Sequence, residues 1–460
     1  MYFLDIASYG KSADDLLALR HTNGEVIRMD SLWKKSIAPR HFATLEGDAK
    51  TDVLIVGGGM AGLLCAYQLV RAGVACMLVE ADRICNGVTA DTTAKLTVQH
   101  GLIYDKLLRR HGIGAARAYW RAQNEALCAY RTIANEVECD FEEKDSYVYS
   151  LDNIRAIERE VAALKWVGAQ AEFLTHTPLP FSVAGALRVP GQAQFHPLKF
   201  AFGIAKDLPI FEQTKVLEFI PGGVRTNRGT VRAKRIIVAT HFPILNKHGG
   251  YFLKMYQHRS YVLALENAPD VRGMYVDESK TGLSFRNHAG LLLLGGGGHR
   301  TGKKGGNWRE LEGIAAKYFP EAREVARWAT QDCITLDGLP YIGRYAAHTK
   351  GLFVATGFNK WGMTSSMVAA TLLCDLVRGR KNEYEALFSP SRSFWRPQLA
   401  ANAAHSLLGL VTPTAPRCPH LGCALKYNRA EHTWDCPCHG SRFTEKGELI
   451  NGPATDDKRI

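Results

Sequence analysis

The chain has 460 residues, of which 46% are hydrophobic and 22% charged, and its formal net charge is +12 at pH 7. This length allows two or three domains, and the composition is that of a globular protein rather than a disordered or fibrous one. Apolar runs are too short to cross a bilayer, the first thirty residues lack the apolar core of a secretion signal, and no nucleic-acid motif is present. We therefore expect a cytoplasmic protein without a membrane span or nucleic-acid partner, whose positive charge favours acidic ligands or redox partners.

The first strong pattern is a strand–turn–helix–strand unit. An apolar run at 51–56 predicts a buried parallel strand, and the sequence GGGMAG (57–62) follows it directly. A predicted helix at 63–71 leads to a second strand at 74–79, which ends at Glu80. The unit is typical of dinucleotide binding, because glycines let the backbone approach a pyrophosphate and the acid accepts from ribose hydroxyls. It fits FAD and NAD alike, and its predicted cofactor contacts are Gly57, Gly59, Met60, Ala61, Gly62 and Glu80.

Later segments favour FAD over NAD. They are TTAK (92–95), QFHP (194–197), DGLPYIG (337–343) and ATGFNKWGMT (355–364), the last entered from an apolar strand. With GGGMAG they resemble the D-amino-acid-oxidase-like superfamily of FAD-dependent amine oxidoreductases over about residues 31–385. The resemblance implies further FAD contacts from Thr93, Ala94, Lys95, Val216, Ala239, Thr240, Gly357, Trp361, Gly362, Met363 and Thr364.

The same resemblance implies an activity. Enzymes of this superfamily remove a hydride from the carbon beside an amine nitrogen, and the flavin does the chemistry. Two arginines that clamp a substrate carboxylate in the amino-acid branch fall here on Asp332 and near Asn359. Asp332 is predicted either to meet a second cationic group, as on a polyamine, or to be an exposed loop carboxylate. Arg259, Arg286 and Lys360 are the other candidate catalytic residues, as possible clamps from the substrate side, with structural roles as the alternative.

A glycine run, Gly295–Gly298, follows a predicted strand at 291–294. It does not fit the GxGxxG spacing, because His299, Arg300 and Thr301 follow it. We predict a turn in the substrate domain here, not a second nucleotide site.

The C-terminal fifty residues contain CPH (418–420) and CPCH (436–439), in which the pattern C-x-H … C-x-x-H supplies two Cys and two His as ligands. A structural zinc site is an alternative, but zinc-finger spacing pairs Cys with Cys and His with His. Here each half supplies one Cys and one His, which suits two irons with two ligands each. The surrounding string CPHLGC … CPCHGS, with Gly452-Pro453-Ala454, resembles the Rieske family. That resemblance implies a [2Fe–2S] cluster on Cys418, His420, Cys436 and His439, and a disulfide between Cys423 and Cys438.

The predicted fold class is α/β with an added β domain. A Rossmann-like FAD-binding domain of the glutathione-reductase type is interleaved with a mixed-sheet substrate domain, and a small all-β Rieske domain follows. The predicted boundaries are an N-terminal extension at 1–50, an oxidoreductase unit at 51–385, a linker at 386–412 and the Rieske domain at 413–460. Within the oxidoreductase unit, FAD-binding segments are predicted at about 51–110, 190–245 and 335–385, and substrate-domain segments at about 140–189 and 250–334.

The predicted function is an FAD-dependent dehydrogenase that oxidises a C–N bond of an amine or N-alkyl amino acid. Its electrons are expected to pass to the Rieske cluster and on to a ferredoxin-like or quinone-linked acceptor. The alternatives are an NAD(P)H-linked electron-transfer reductase, which would need a second nucleotide site, and a redox sensor without turnover.

Overall fold

In the computed structural model, the described residues are 30–279, 282–393 and 416–458. Most of the predicted linker and most of the predicted N-terminal extension therefore lie outside the described residues. The helices are α1 (Leu32–Ser36), α2 (Met60–Arg71), α3 (Ile103–Ala134), α4 (Ile154–Val167), α5 (Pro197–Ile204), α6 (Tyr251–Lys254), α7 (Asn307–Tyr318), α8 (Gly362–Val377) and α9 (Glu385–Phe388). Among these described helices, none is both long and apolar enough to span a membrane.

The described strands form three sheets. The strands are β1 (Ala49–Val56), β2 (Cys76–Val79), β3 (Lys95–Leu96), β4 (Glu142–Ser150), β5 (Glu172–Leu174), β6 (Gly185–Gln194), β7 (Ile210–Phe211), β8 (Val216–Ile220), β9 (Gly223–Thr226), β10 (Thr230–Val238), β11 (Met255–Glu266), β12 (Met274–Asp277), β13 (Ser284–His288), β14 (Leu291–Arg300), β15 (Arg323–Thr335), β16 (Tyr341–Arg344), β17 (Leu352–Thr356), β18 (Lys426–Asn428), β19 (Thr433–Asp435), β20 (Arg442–Thr444) and β21 (Leu449–Asn451).

The first sheet is the predicted Rossmann-like sheet. Its order is β16-β17-β10-β1-β2-β7, and β17, β10, β1, β2 and β7 are parallel to their neighbours in that order. The apolar run of β1 is buried from Val53 to Val56, as a strand covered on both faces requires. Helices α2 and α8 pack against each other beside this sheet. Both begin after a strand of the sheet, so their N-termini meet at its carboxyl edge.

The second sheet is mixed, as predicted for the substrate domain. Its order is β15-β11-β14-β13-β12-β4-β6-β3, with β5 added to β6. Strands β12 and β4 are parallel, whereas β11 is antiparallel to β14 and to β15. Strands β4 to β6 and β11 to β15 are separate stretches of chain, so this sheet is interleaved in sequence with the first one.

The segment just before the first sheet belongs to the fold. Trp33 on α1 is fully buried, and its indole Nε1 donates to the carbonyl oxygen of Thr92 at 2.7 Å. Its ring also lies 4.9 Å from the ring of His196, measured between centroids. This packing differs from the predicted extension through residue 50. The short apolar pair Leu32-Trp33, between Ser31 and Lys34, gave no periodic signal of burial.

The glycine run lies inside a strand, so the predicted turn at Gly295–Gly298 is wrong. These residues continue β14: Gly295 and Gly296 pair with Val262 and Tyr261 of β11, and the register shifts at Gly297 and Gly298 before His299 pairs with Arg259. A Cβ on Gly296 would lie 3.0 Å from Cδ2 of Leu311, and one on Gly297 would lie 2.3 Å from the carbonyl oxygen of Asn307. The missing side chains therefore let helix α7 lie directly against the strand.

The third sheet is small and antiparallel, with the order β18-β19-β20-β21. Its core contains Leu425, Phe443 and Ala454 together with four buried cysteines. The predicted all-β C-terminal domain is confirmed by this sheet.

Candidate cofactor-binding site and metal centre

The turn after β1 forms a cradle that side chains would fill. Gly57 has a φ of 110°, and a Cβ there would lie 2.7 Å from the carbonyl oxygen of Ala239. A Cβ on Gly62 would lie 1.9 Å from the carbonyl oxygen of Gly57. Glu80 closes the turn, since its Oε2 accepts from the backbone N–H of Gly58 at 2.6 Å. This arrangement fits a dinucleotide, because bare backbone N–H groups and the N-terminus of α2 face the space where a pyrophosphate would lie.

A cavity of about 1900 Å³ opens from this turn. Sites for one small molecule usually measure about 300–1,000 Å³, so this cavity has room for a dinucleotide and a substrate. The cavity is lined by residues from each of the three domains to which the sheets belong. The predicted cofactor contacts on its wall are Gly57, Gly59, Met60, Ala61, Glu80, Thr93, Lys95, Val216, Ala239, Thr240, Trp361, Gly362 and Met363.

Four predicted cofactor contacts do not line the cavity but lie next to residues that do. Gly62 packs on Gly57, and Ala94 is fully buried. Gly357 turns the chain after β17 with a φ of 71°, where a Cβ would lie 2.4 Å from Cγ2 of Thr335. Thr364 is buried, and its hydroxyl lies 3.2 Å from Nε2 of His100.

Arg286 holds the TTAK loop. It is fully buried, and its Nη1 donates to the carbonyl oxygens of Thr93 and Ala94 at 2.7 and 2.9 Å. Lys95, which follows Ala94 in the chain, reaches the cavity and donates to the hydroxyl of Thr93 at 3.1 Å. Burial, with the nearby charge of Arg286, lowers the pKa of Lys95 to about 7. Arg286 thus fixes a cavity loop, which favours the structural role over contact with substrate.

Asp332 and Lys360 both face the cavity. Burial raises the pKa of Asp332 to about 6, and the charges of Lys360 and Arg259 partly oppose this. Burial among protein groups lowers the pKa of Lys360, and Asp332 opposes that shift. Lys360 and Asn359 have φ values of 73° and 53°, a conformation that costs energy for non-glycine residues and is found at functional sites.

Asn359 and Arg259 are held by other groups. The Oδ1 atom of Asn359 accepts from the backbone N–H of Thr335 at 2.8 Å. Arg259 lines the cavity, but its Nε donates to Oε1 of Glu431 at 3.1 Å. The side chain of Arg259 therefore joins the substrate sheet to the C-terminal domain.

The metal centre lies between two loops of the C-terminal domain. The Nδ1 atoms of His420 and His439 face each other at 3.3 Å. Cys418 and Cys436 are buried free thiols whose side chains interact, and hydrogen bonding with Cys436 lowers the pKa of Cys418. Two sulfurs and two imidazole nitrogens are thus brought together from both loops, and this donor set fits a Rieske [2Fe–2S] cluster.

Two further contacts support these loops. Cys423 and Cys438 form a disulfide, which ties the first loop to the second. The fully buried Ser441 accepts from the backbone N–H of Ala454 at 3.0 Å, and its hydroxyl also hydrogen-bonds Cys418. Each loop is therefore held both covalently and by buried polar groups.

Three residues at this site were not predicted. His241 follows Thr240 directly and lines the cavity, with a φ of 64°. Its position after the predicted cofactor segment was the available signal. Gln257 and Gln331 contact the metal-binding loop, with Gln257 Nε2 donating to the carbonyl oxygen of His439 at 2.8 Å. They lie on strands far apart in sequence, so no local pattern indicates them.

Comparisons with known proteins agree with this division of the chain. A family model described as FAD dependent oxidoreductase matches residues 52–376, and a model described as Rieske [2Fe-2S] domain matches residues 409–459. YhfW of Bacillus subtilis (strain 168), named for a Rieske 2Fe-2S iron-sulfur centre, is 34% identical over 92% of this chain and 96% of its own length.

Two further matches are less similar in sequence. Gamma-glutamylputrescine oxidoreductase of Escherichia coli (strain K12) is 26% identical over 79% of this chain and 94% of its own length. The crystal structure of glycine oxidase from Geobacillus kaustophilus superimposes with a TM-score of 0.63 and 21% identity, covering 75% of this chain and 99% of that one. This likeness shows the fold.

Proposed function

This chain belongs to the FAD dependent oxidoreductase family and carries a Rieske [2Fe–2S] domain, and we propose that it is an amine dehydrogenase. In the proposed reaction the C–H bond beside the amine nitrogen breaks, the hydride leaves, and the nitrogen lone pair forms a C=N bond as the N–H proton is released. Water hydrolyses the imine to a carbonyl compound and an amine. When bound, FAD supplies the two-electron step and the cluster passes the two electrons singly to an external one-electron acceptor.

One observation carries the proposal: the C-terminal domain shares the wall of the cavity into which the dinucleotide turn opens. Gly57 and Thr240 line the same cavity as Gly452 and Ala454 of the C-terminal domain. On that wall, Gln257 donates to the carbonyl oxygen of the predicted cluster ligand His439. A shared wall gives electrons a short path from one cofactor to the other, which a domain of unrelated purpose would not need.

The charges of the cavity support an amine as substrate. Arg259 and Arg286, the two arginines considered as carboxylate clamps, are bonded to Glu431 and to the TTAK loop. Asp332 presents a carboxylate to the cavity instead. A carboxylate attracts a cationic amine, and the name of the Escherichia coli relative, gamma-glutamylputrescine oxidoreductase, is that of an enzyme acting on an amine compound.

We assign proton-handling roles to two cavity residues. Asp332, with a pKa of about 6, is ionised at neutral pH, so it binds an ammonium group and can accept its proton. Lys95, with a pKa of about 7, holds or releases a proton at Nζ in the same range. Groups with pKa values near the working pH are the effective acids and bases. The positive charge of Lys360 partly balances the negative charge of ionised Asp332 in the pocket.

The reductase alternative is less well supported. It needs a second dinucleotide site, and the remaining glycine run, Gly295–Gly298, lies inside strand β14 against helix α7. A helix N-terminus and a free turn, which a phosphate site requires, are not formed by these four residues.

The test is anaerobic reduction of the protein holding both cofactors. Secondary amines, N-methyl amino acids and polyamines are added beside NADH and NADPH, and visible absorbance and low-temperature EPR are recorded. The expected result is bleaching of the flavin by an amine with appearance of a Rieske EPR signal. Reduction by NAD(P)H alone would instead establish a reductase, and reduction by none of these compounds would favour a sensor without turnover.

A further inference from the structure

The second cluster loop, residues 436–441, rests on two strands of the substrate sheet. Side chains of a strand alternate between faces, so Gln257 and Arg259 of β11 point to the same face. Arg259 pairs with Gln331 of the antiparallel strand β15. Gln257, Arg259 and Gln331 all contact the C-terminal domain, and this face of the sheet is therefore its docking surface.

Two amides make the central contacts of this surface. Nε2 of Gln257 donates to the carbonyl oxygens of His439 and Gly452, at 2.8 and 3.0 Å. Nε2 of Gln331 donates to the carbonyl oxygen of Gly440 at 2.8 Å and also to Oε1 of Gln257. Oε1 of Gln331 accepts from the hydroxyl of Thr301 at 3.0 Å. Both glutamines are 2% exposed, so the amide oxygens and nitrogens are buried and all are bonded.

A buried and fully bonded network of this kind rigidifies what it touches, because moving the loop would leave several polar groups unpaired. Main-chain packing adds to the effect. A Cβ on Gly440 would lie 2.5 Å from Cβ of Gln257, and one on Gly302 would lie 2.7 Å from Cα of Pro437. The loop therefore packs closely against the substrate domain on both sides of His439, at Pro437 and at Gly440.

The docked position orients the two histidines differently. His439 is 2% exposed and lies between Phe242 and Phe252, with centroid separations of 6.5 and 6.0 Å. His420 is partly exposed, and its Nε2 lies 2.9 Å from Oδ1 of Asn246. His439 is thus on the side of the flavin cavity, because His241 and Phe242 line that cavity.

We infer that Gln257 and Gln331 are positioning residues for electron transfer: they hold the cluster docked at one distance and orientation from the flavin, with His439 facing inward. The Rieske domain is then a fixed electron acceptor within the chain, not a domain that moves between donor and acceptor. This inference rests on the proposed transfer of electrons from flavin to cluster.

The test uses the full chain with FAD and cluster bound. The flavin is reduced by a light flash with 5-deazariboflavin and an excess of an organic electron donor, and the cluster is followed by its visible absorbance. Gln257→Glu and Gln331→Glu keep the shape of each side chain but replace the donating NH₂ by oxygen. Gln257→Leu and Gln331→Leu are second variants in case a buried carboxylate prevents folding. Gln123→Leu is the control, because Gln123 is an equally buried glutamine on α3 away from the cavity.

The expected result is a decrease of at least tenfold in the rate of cluster reduction in the Gln257 and Gln331 variants, with flavin content and cluster EPR intensity unchanged. Hydrogen exchange at the backbone amides of residues 436–441, including the Cys436 N–H that bonds the Ser441 carbonyl, should rise in the same variants and stay unchanged in Gln123→Leu.

Two outcomes are separable. If the cluster is reduced at the wild-type rate and exchange is unchanged in the Gln257 and Gln331 variants, the positioning role is wrong. If the wild-type cluster is never reduced by the flavin, the proposed function fails, and the exchange measurement still decides whether the two amides fix the loop.

Discussion

Arg259 and Glu431 form a buried ion pair across the boundary between the substrate sheet and the C-terminal domain. Nε of Arg259 donates to Oε1 of Glu431 at 3.1 Å, and Nη2 bonds the other carboxylate oxygen. The side chains are 3% and 9% exposed. Arg442 of the C-terminal domain reaches the same carboxylate at 2.7 Å. The Glu431 carboxylate thus bonds two buried guanidinium groups, one from each side of the boundary, and Arg442 is also paired with Asp435 at 3.0 Å.

Replacing Glu431 by Gln should destabilise the docked protein. Removing one partner of a buried ion pair leaves an uncompensated charge and costs about 3–5 kcal/mol. We expect the unfolding midpoint in urea, followed by the visible absorbance of the cluster, to fall accordingly. Glu448→Gln changes an exposed carboxylate of the same domain and should have almost no effect. Equal losses in both variants would contradict the assignment.

The same ion pair predicts that the free energy of unfolding decreases at acidic pH. Burial alone would raise the pKa of Glu431, but Arg259 and Arg442 outweigh it and lower the pKa to about 2. Since the folded pKa lies below the unfolded value of 4.5, this carboxylate stabilises the fold above pH 4.5, and its contribution is lost as the pH falls toward 2. Acid titration of the unfolding free energy should show this loss in wild type and a smaller one in Glu431→Gln.

Asp332 should couple substrate binding to pH. Its pKa of about 6 makes it a carboxylate above that pH, so amine binding should strengthen as the pH rises through about 6. Asp332→Asn should raise KM for the amine about 10–100-fold, the value of a hydrogen bond to a charged group. It should also flatten the pH profile near 6. Asp207→Asn, at an exposed position, is the control and should retain both properties.

Asp332→Asn should weaken amine binding but increase the stability of the fold. The folded pKa of Asp332 lies above its ordinary value of 3.8, so ionisation of this group opposes folding increasingly as the pH rises from about 4 to 6. Asp332→Asn should therefore raise the Tm at pH 7 while it raises KM for the amine, as expected of a residue kept for function. A lower Tm at pH 7 would assign Asp332 a structural role.

Sequence patterns predicted the parts of the fold that depend on neighbouring residues. The GGGMAG segment forms the turn after β1 and the start of α2, because strand, turn and helix signals follow one another within about twenty residues. The CPH and CPCH segments likewise hold all four predicted metal ligands in two short loops. Pairing between distant strands has no such signal. The sequence alone therefore does not predict that Gln257 and Gln331 lie together, because this depends on the pairing of β11 with β15.

Residue type alone was also insufficient for the arginines and glycines. Arg259 and Arg286 were both candidates for substrate contact, yet their partners are Glu431 and the TTAK loop, which only the packed fold brings near them. Gly295–Gly298 suggested a turn, although glycine also serves where a helix lies close to a strand.

Gly57→Ala should abolish FAD binding while it leaves the cluster intact. A Cβ at this position meets the carbonyl oxygen of Ala239 at 2.7 Å, and a φ of 110° is strained for alanine. We expect the purified variant to lose most of its absorbance near 450 nm from flavin and to keep its Rieske EPR signal. Gly313→Ala, in helix α7 with free space around it, should bind both cofactors. Full flavin content in Gly57→Ala would show that the cradle is not the dinucleotide site.

Ser441→Ala should lower the midpoint potential of the cluster. The buried hydroxyl of Ser441 hydrogen-bonds the sulfur of Cys418, and a hydrogen bond to a ligand sulfur stabilises the reduced, more negative state. A hydrogen bond worth about 1.4 kcal/mol corresponds to about 60 mV for a one-electron couple. EPR-monitored redox titration measures the shift. Thr444→Ala, three residues further along the chain and bonded to Glu448, should leave the potential unchanged. A shift of similar size in Thr444→Ala would indicate a general loosening of the domain, whereas a shift confined to Ser441→Ala identifies the hydroxyl as the group that tunes the cluster.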